Sequence, residues 1–112
     1  MQLQNPFTLN TRLLYLDCWT CWICGSNGQS NGGLEIHHIT GRDSNSPFNS
    51  SCLCGSCHRH MGHSQEEEQK LFLKTLEYLY NLEYEPMDSD FAFITAHAYL
   101  VTEAVKEWLK KL

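Results

Sequence analysis

Residues 21–58 read CWICGSNGQSNGGLEIHHITGRDSNSPFNSSCLCGSCH, and this stretch decides the fold of the chain. A Cys-x2-Cys pair opens it at Cys21 and Cys24, and a second pair stands near its end at Cys54 and Cys57. Two such pairs are typical of a structural zinc site, in which four ligands surround the metal as a tetrahedron. Four further side chains are left over for other chemistry: His37, His38, Asn49 and His58.

Length and composition indicate one small α+β domain covering residues 1–112. A core of this size gains much from an internal metal. No apolar run approaches the roughly 20 residues that span a bilayer, and residues 1–6 do not resemble a signal peptide. We therefore expect a soluble, cytoplasmic protein. Because disulfides are disfavoured in a reducing cytosol, the six cysteines indicate metal binding.

The net charge of −5 is unevenly distributed. Residues 1–63 hold three arginines against three acids, whereas residues 64–112 hold five lysines against ten acids. Affinity for nucleic acid comes mainly from neutralised phosphates, so we expect weak, salt-sensitive DNA binding by this chain. The acidic face of the second segment should point away from any DNA cleft. Its members are Glu66, Glu67, Glu68, Glu77 and Glu83.

Local patterns predict the elements around the cysteines. Residues 34–39 contain two β-branched isoleucines and lie between glycines, as in a strand; residues 40–48 predict a loop and residues 50–54 a returning strand. Ser56 is a candidate cap for a helix that holds His58. Before the first cysteine pair, Asn10 or Thr11 can cap a short helix that extends through Leu16.

Beyond residue 64 the apolar spacing is helical. Phe72, Leu76 and Leu79 form one stripe, and the residues around Pro86 interrupt it. A second stripe recurs every three or four residues, through Ile94, Ala98, Val101, Val105, Trp108 and Leu112. The pattern predicts a C-terminal extension of two amphipathic helices that pack on each other and on the metal module.

Two surplus cysteines leave alternative ligand sets. Cys18 also stands at Cys-x2-Cys spacing from Cys21, and Cys52 lies two residues before Cys54. The set Cys21, Cys24, Cys54 and Cys57 is favoured because Gly25, Gly55 and Ser56 allow backbone N–H groups to point at the sulfurs. We then expect Cys18 and Cys52 to be small buried residues. The alternative for the cysteine set as a whole is disulfide pairing.

Adjacent histidines on a strand point to opposite faces. Glu35 and His37 should therefore share one side of the strand, and His38 should lie on the other. One histidine can then bind a metal while its neighbour faces a water. His60, His63 and His97 are interpreted first as ordinary histidines, with His63 kept as an additional candidate metal ligand.

These motifs resemble those of the HNH endonucleases, in the branch where a zinc-bound cysteine tetrad braces a ββα-metal (His-Me) finger. The resemblance covers about residues 18–63 and rests on Glu-x-His-His-Ile, Asn49 and Cys-x2-Cys-His in order. It implies a metal-dependent DNA endonuclease of bacteriophage type. It further implies that His38 is the general base, that His37 and His58 hold a catalytic divalent ion, and that Asn49 braces the loop orienting His38.

The chemistry of phosphodiester hydrolysis accounts for the same residue types. A neutral imidazole can accept a proton from water, and a divalent ion can offset charge on the phosphate. Nitrogen ligands suit Mn2+, Ni2+, Co2+ or Zn2+ better than Mg2+, which leaves the working metal open. Arg42 and Arg59 are the nearest cations for phosphate contacts.

Two other function classes fit part of the sequence. A noncatalytic zinc-ribbon module that binds DNA or protein needs the cysteines but not the histidines and Asn49. A structural partner within a larger phage or repair assembly would suit the acidic second segment, whose helices can also meet a second copy of the chain or a host protein.

Overall fold

A computed structural model describes residues 7, 9–16, 18–27, 34–41, 44–60, 62 and 64–112. Within them lie a two-stranded antiparallel sheet and five α-helices, so the predicted α+β class is confirmed. The elements in chain order are α1 (Leu9–Leu13), β1 (Leu34–His38), a 3-10 turn (Pro47–Asn49), β2 (Ser50–Cys54), α2 (Gly55–His60), α3 (Gln65–Asn81), α4 (Asp88–Ala96), a second 3-10 turn (Ala98–Leu100) and α5 (Glu103–Lys111). No helix in this part of the chain has the length and apolarity to cross a membrane.

The two strands form an antiparallel hairpin. Its first strand ends at His38, one residue before the predicted end at Ile39. Leu34 pairs with Cys54, and His38 pairs with Ser50 at the other end. The serines of β2 are fully buried, yet they are bonded: the Ser50 hydroxyl donates to Pro47 O (2.6 Å), and the Ser51 hydroxyl donates to His37 O (3.3 Å). Buried hydroxyls with partners carry little cost, which is why a serine-rich segment can form a fully buried strand.

The short helices begin earlier than the sequence predicts. Asn10 and Thr11 lie inside α1, which ends at Leu13 rather than extending to Leu16. Ser56 lies inside α2, which begins at Gly55 directly after the strand. There the sulfur of Cys54 accepts from the backbone N–H of Cys57 (3.5 Å), so a cysteine occupies the capping role expected of the serine.

The C-terminal extension contains three helices instead of the two predicted. Ser64 caps α3, its hydroxyl accepting from Glu67 N (3.1 Å). The second predicted helix is split into α4 and α5 by the 3-10 turn, and Thr102 caps α5 by accepting from Val105 N (3.3 Å). The apolar spacing continued across the break because both helices bury side chains in the same core.

That core is shared by the hairpin and the extension. Phe48 and Leu53 pack in one cluster with side chains of α3, α4 and α5. The Phe48 and Phe72 rings meet edge to face with centroids 6.0 Å apart, and both side chains are fully buried. Burying each such ring stabilises the fold by about 1.5–3 kcal/mol. The buried members of the cluster are Cys21, Ile39, Phe48, Leu53, Cys54, Leu71, Phe72, Leu76, Leu79, Phe93, Leu100 and Val105.

One member of the predicted acidic face is in fact buried. Glu68 is 6 % exposed, and its carboxylate accepts a hydrogen bond from the Tyr99 hydroxyl. The tyrosine lies in the second 3-10 turn, so this bond joins α3 to the connection between α4 and α5. The other four glutamates of that face are exposed: Glu66, Glu67, Glu77 and Glu83.

Candidate metal centre and histidine site

The four predicted cysteine ligands lie together and can hold a metal ion such as zinc. The sulfurs of Cys21, Cys24, Cys54 and Cys57 all lie within 4.8 Å of one another. Zinc bonds of about 2.3 Å in a tetrahedron place neighbouring sulfurs about 3.8 Å apart. The sulfurs of Cys24 and Cys54 are 3.9 Å apart, which fits that edge.

Backbone turns aim the cysteines at one point. Gly25, at φ +74°, donates its N–H to Cys21 O (2.9 Å), and the Cys21 sulfur accepts from Ile23 N (3.4 Å). A positive φ is easy only for glycine, so this residue closes the first turn. The N–H of Trp22 donates to Cys52 O (3.0 Å), which joins the first cysteine turn to β2, next to the second pair.

Three of the thiols have pKa values that are shifted in different directions. The Ser26 hydroxyl, followed by the Ser26 backbone, lowers the pKa of Cys24 to about 6. The backbone N–H of Cys57 lowers the pKa of Cys54. Burial, together with the neighbouring cysteine sulfurs, raises the pKa of Cys57 to about 12. A dication is the partner that lets four adjacent sulfurs ionise together, so the donor set fits a bound metal.

Cys18 and Cys52 are joined in a disulfide rather than standing as separate small residues. Cys52 is buried in β2 and Cys18 is half-buried beside it. Ligand spacing along the chain could not indicate that the segment after α1 passes next to β2. Neither residue belongs to the four-cysteine group, so the alternative ligand pair of Cys18 with Cys21 is not the one that the fold assembles.

His37 and His58 come together beside Glu35. Their ring centroids are 4.7 Å apart, with the rings nearly perpendicular. The Glu35 carboxylate lies 2.5 Å from Nδ1 of His58. Glu35 and His37 thus both contact His58, which agrees with the strand alternation expected from the sequence. The sequence prediction gave Glu35 no role, although its position two residues before His37 already put it on the same face.

This arrangement leaves one nitrogen of His58 available to a ligand. When Nδ1–H donates to the carboxylate, the lone pair stands on Nε2, as in most histidines that bind metals. His37 and His58 supply two imidazoles for such a site. Among the described residues, only the four cysteines form a metal-binding group of three or more. Water or a phosphate oxygen would have to complete a site on the histidines.

His38 faces a different environment. Its ring stacks on Phe7 with centroids 3.8 Å apart, and its Nε2 lies 3.1 Å from Oδ1 of Asn45. The side chain is 8 % exposed. With the carbonyl oxygen of Asn45 as acceptor, Nε2 carries the proton in this arrangement. Sequence reasoning gave no role to Phe7 or Asn45, whose contact with His38 depends on how the chain folds back.

Asn49 closes the segment that follows His38. It is fully buried, and its Oδ1 accepts from both N (2.9 Å) and Oγ1 (3.1 Å) of Thr40. Its Nδ2 donates to Gly41 O (2.9 Å) and Ser44 O (2.8 Å), and its backbone oxygen accepts from Ile39 N (2.9 Å). All four hydrogen bonds open to the side-chain amide are made. Asn49 therefore fixes the segment between His38 and itself at two places, Thr40 to Gly41 and Ser44.

The predicted phosphate contacts are only partly within the described residues. Arg59 is exposed on α2, and its Nη1 lies 3.1 Å from the position that a Cβ on Gly55 would occupy. Oε2 of Glu35 lies 3.5 Å from the same position, so the guanidinium stands near the Glu35 and His58 pair. Arg42 and His63 lie outside the described residues. His60 is exposed, with Nδ1 2.8 Å from Ser56 O.

Comparison with known proteins gives no relative for this chain. No family model matches it, and the comparisons with curated proteins and solved structures found no match. A function for the chain therefore has to come from the chemistry of its own site.

Proposed function

We propose that the protein is a metal-dependent endonuclease of the HNH type that hydrolyses DNA phosphodiester bonds. The observation that carries the proposal is the joint arrangement of the three histidines. His37 and His58 stand 4.7 Å apart beside a carboxylate, while His38 faces the opposite side next to a segment closed by Asn49. A zinc module that only binds a partner needs none of these four side chains.

Each residue has a role in this proposal. His37 and His58 would hold the divalent ion, which when bound offsets negative charge on the attacked phosphate and the leaving oxygen. Glu35 keeps His58 in the tautomer that presents Nε2. His38 accepts the proton of the attacking water. Nitrogen ligands favour Mn2+, Ni2+, Co2+ or Zn2+ over Mg2+ in that position.

Asn45 sets the tautomer of His38. Nε2 of His38 donates to Oδ1 of Asn45 (3.1 Å), whose own side chain is exposed. With the proton on Nε2, the lone pair of the neutral imidazole stands on Nδ1, which is the nitrogen that would accept the proton of a water. In that state His38 acts as a neutral base near pH 7.

Charge favours DNA contact near the histidine pair. Arg59, near the histidine pair, and Arg42 are the proposed phosphate contacts. The exposed glutamates of α3 would repel a DNA backbone, so we assign their face to the side away from DNA. That face is the proposed surface for a second copy of the chain or for a phage or host protein in the cytoplasm.

The test is incubation of the pure, zinc-loaded protein with supercoiled plasmid and one divalent metal at a time. Nicked or linear product that disappears with chelator and returns with Mn2+ or Ni2+ would support the proposal. Intact plasmid with every metal, from a protein that is folded and holds zinc, would reject it.

A noncatalytic zinc-braced module that binds DNA or protein is the second candidate. The observation that favours it is the burial of His38 beneath Phe7, which leaves the proposed base 8 % exposed. Such a module would bind its partner equally well after replacement of His37, His38 or His58 by alanine, and no metal would produce cleavage.

A further inference from the structure

Asp90 is a buried carboxylate of the C-terminal extension that the proposed function does not use. It lies in the first turn of α4 and is fully buried. Its Oδ2 accepts from the Tyr84 hydroxyl (2.6 Å) and from Met87 N (2.8 Å), and its Oδ1 accepts from the Ser46 hydroxyl. A buried carboxylate is costly without such donors, so the three bonds fix its position firmly.

Ser46 carries this contact into the segment between His38 and Asn49. Its hydroxyl oxygen also accepts from Phe48 N (3.0 Å), so Ser46 caps the start of the 3-10 turn. Its carbonyl oxygen accepts from Asn49 N (2.8 Å). Ser46 is therefore bonded to α4 on one side and to the brace residue Asn49 on the other.

The two residues before Ser46 contact His38 and Asn49. Asn45, immediately before it, has Oδ1 3.1 Å from Nε2 of His38. Ser44 accepts from the Asn49 side chain through its carbonyl oxygen (2.8 Å). A shift of Ser46 would thus move the group that contacts His38 and one of the bonds that close the segment.

We infer that Asp90 is a positioning residue for the proposed active site, acting through Ser46 on the segment that sets the ring of His38. The expected effect of Asp90 on catalysis rests on the proposed function, whereas its effect on the position of the His38 ring does not. Asn49 holds the segment from within the hairpin, and Asp90 holds it from the extension. The C-terminal helices therefore complete the site in addition to covering the core.

The expected effect is on turnover rather than on zinc or DNA binding. Displacement of a reacting group by about 1 Å can lower the rate on the order of 100-fold. Loss of the Ser46 to Asp90 bond should therefore lower kcat by roughly 10- to 100-fold with little change in KM. The cysteine tetrad draws its residues from other segments, so the zinc content should not change.

The experiment compares Ser46→Ala and Asp90→Asn with the matched control Tyr84→Phe in the full, zinc-loaded chain. The control also removes a hydrogen bond to Asp90, but it leaves the bond to Ser46 in place. Asp90→Asn replaces an acceptor oxygen by a donor and keeps Ser46 available to cap the 3-10 turn. The readouts are kcat, KM and the NMR shifts of the His38 imidazole. The NMR measurement needs no nuclease activity.

We expect both test variants to shift the His38 resonances and to lower kcat, with Tyr84→Phe close to wild type in both. Unmoved His38 resonances in Asp90→Asn would overturn the inference, as would equal effects of Asp90→Asn and Tyr84→Phe. If Ser46→Ala fails to fold, Asp90→Asn carries the test alone. If the wild-type protein cuts no DNA, the proposed function fails, while the His38 resonances still decide whether Asp90 positions that ring.

Discussion

The carboxylate of Glu35 and Nδ1 of His58 lie 2.5 Å apart, which joins β1 to α2 across the hairpin. This contact orients an imidazole that is only partly covered by protein, since the His58 side chain is 37 % exposed. His37, two residues along from Glu35, packs its ring edge-on against the same imidazole. One face of the strand thus both orients His58 and supplies the second candidate ligand.

Glu35→Gln should weaken binding of the divalent ion while leaving the zinc in place. The neutral amide stabilises the protonated Nδ1 less than the carboxylate does, and loss of such a partner typically costs 10- to 100-fold in metal affinity. Titration of Mn2+ or Ni2+ into the zinc-loaded protein measures the change, with Glu77→Gln on the exposed face of α3 as control. Equal affinities for wild type and Glu35→Gln would contradict a positioning role for Glu35.

Cys24→Ser and Cys57→Ser should each leave the chain poorly folded and low in zinc. Structural zinc contributes apparent binding energies of about 10–16 kcal/mol, which is comparable to the whole stability of a small domain. Circular dichroism and zinc analysis in reducing buffer give the result. Cys18→Ser, outside the tetrad, should keep about one zinc per chain. A Cys57→Ser variant that folds and binds zinc normally would refute the tetrad.

Mild chelation should abolish DNA cleavage before it removes zinc. Four thiolates form a closed site, whereas two imidazoles with open positions release an ion readily. Added Mn2+ or Ni2+ should restore cleavage, and His37→Ala or His58→Ala should weaken that restoration at constant zinc content. The idea of two separate metals would be wrong if activity and zinc were always lost together.

Phe72→Ala should destabilise the whole chain by about 3–5 kcal/mol, as expected for removal of a buried aromatic ring. Because Phe72 packs against Phe48 beside the hairpin, we expect the hairpin and the helices to unfold in one transition. Denaturant unfolding followed by tryptophan fluorescence and by circular dichroism measures this, with Glu77→Ala as an exposed control. Two separate transitions would show that the extension is not part of the same cooperative unit.

Much of the hairpin and the cysteine cluster could be predicted from the sequence because their signals are local. Cys-x2-Cys spacing fixes which sulfurs can share a metal, and the four cysteines chosen in this way do lie together. Alternation along β1 correctly separated His38 from Glu35 and His37. The strand Ser50–Cys54 was also predicted at its observed bounds.

The remaining features depend on contacts between distant segments. The disulfide of Cys18 with Cys52 requires the segment after α1 to run beside β2, which no spacing rule encodes. The break between α4 and α5 was hidden because the apolar period continued through it. Asp90 appeared to be one acid among many, and only the fold shows that it is buried against Ser46.

The central claim is that His38 is the base of a metal-dependent nuclease, and the rate of plasmid cleavage by matched histidine variants tests it most directly. Wild type, His38→Ala and the exposed control His60→Ala are compared at equal zinc content in the same Mn2+ buffer. The account predicts that His38→Ala lowers the rate by roughly 100-fold or more, since it removes only the base, while His60→Ala stays near wild type. Equal cleavage by wild type and a folded His38→Ala protein, or no cleavage by wild type with any divalent metal, would contradict it.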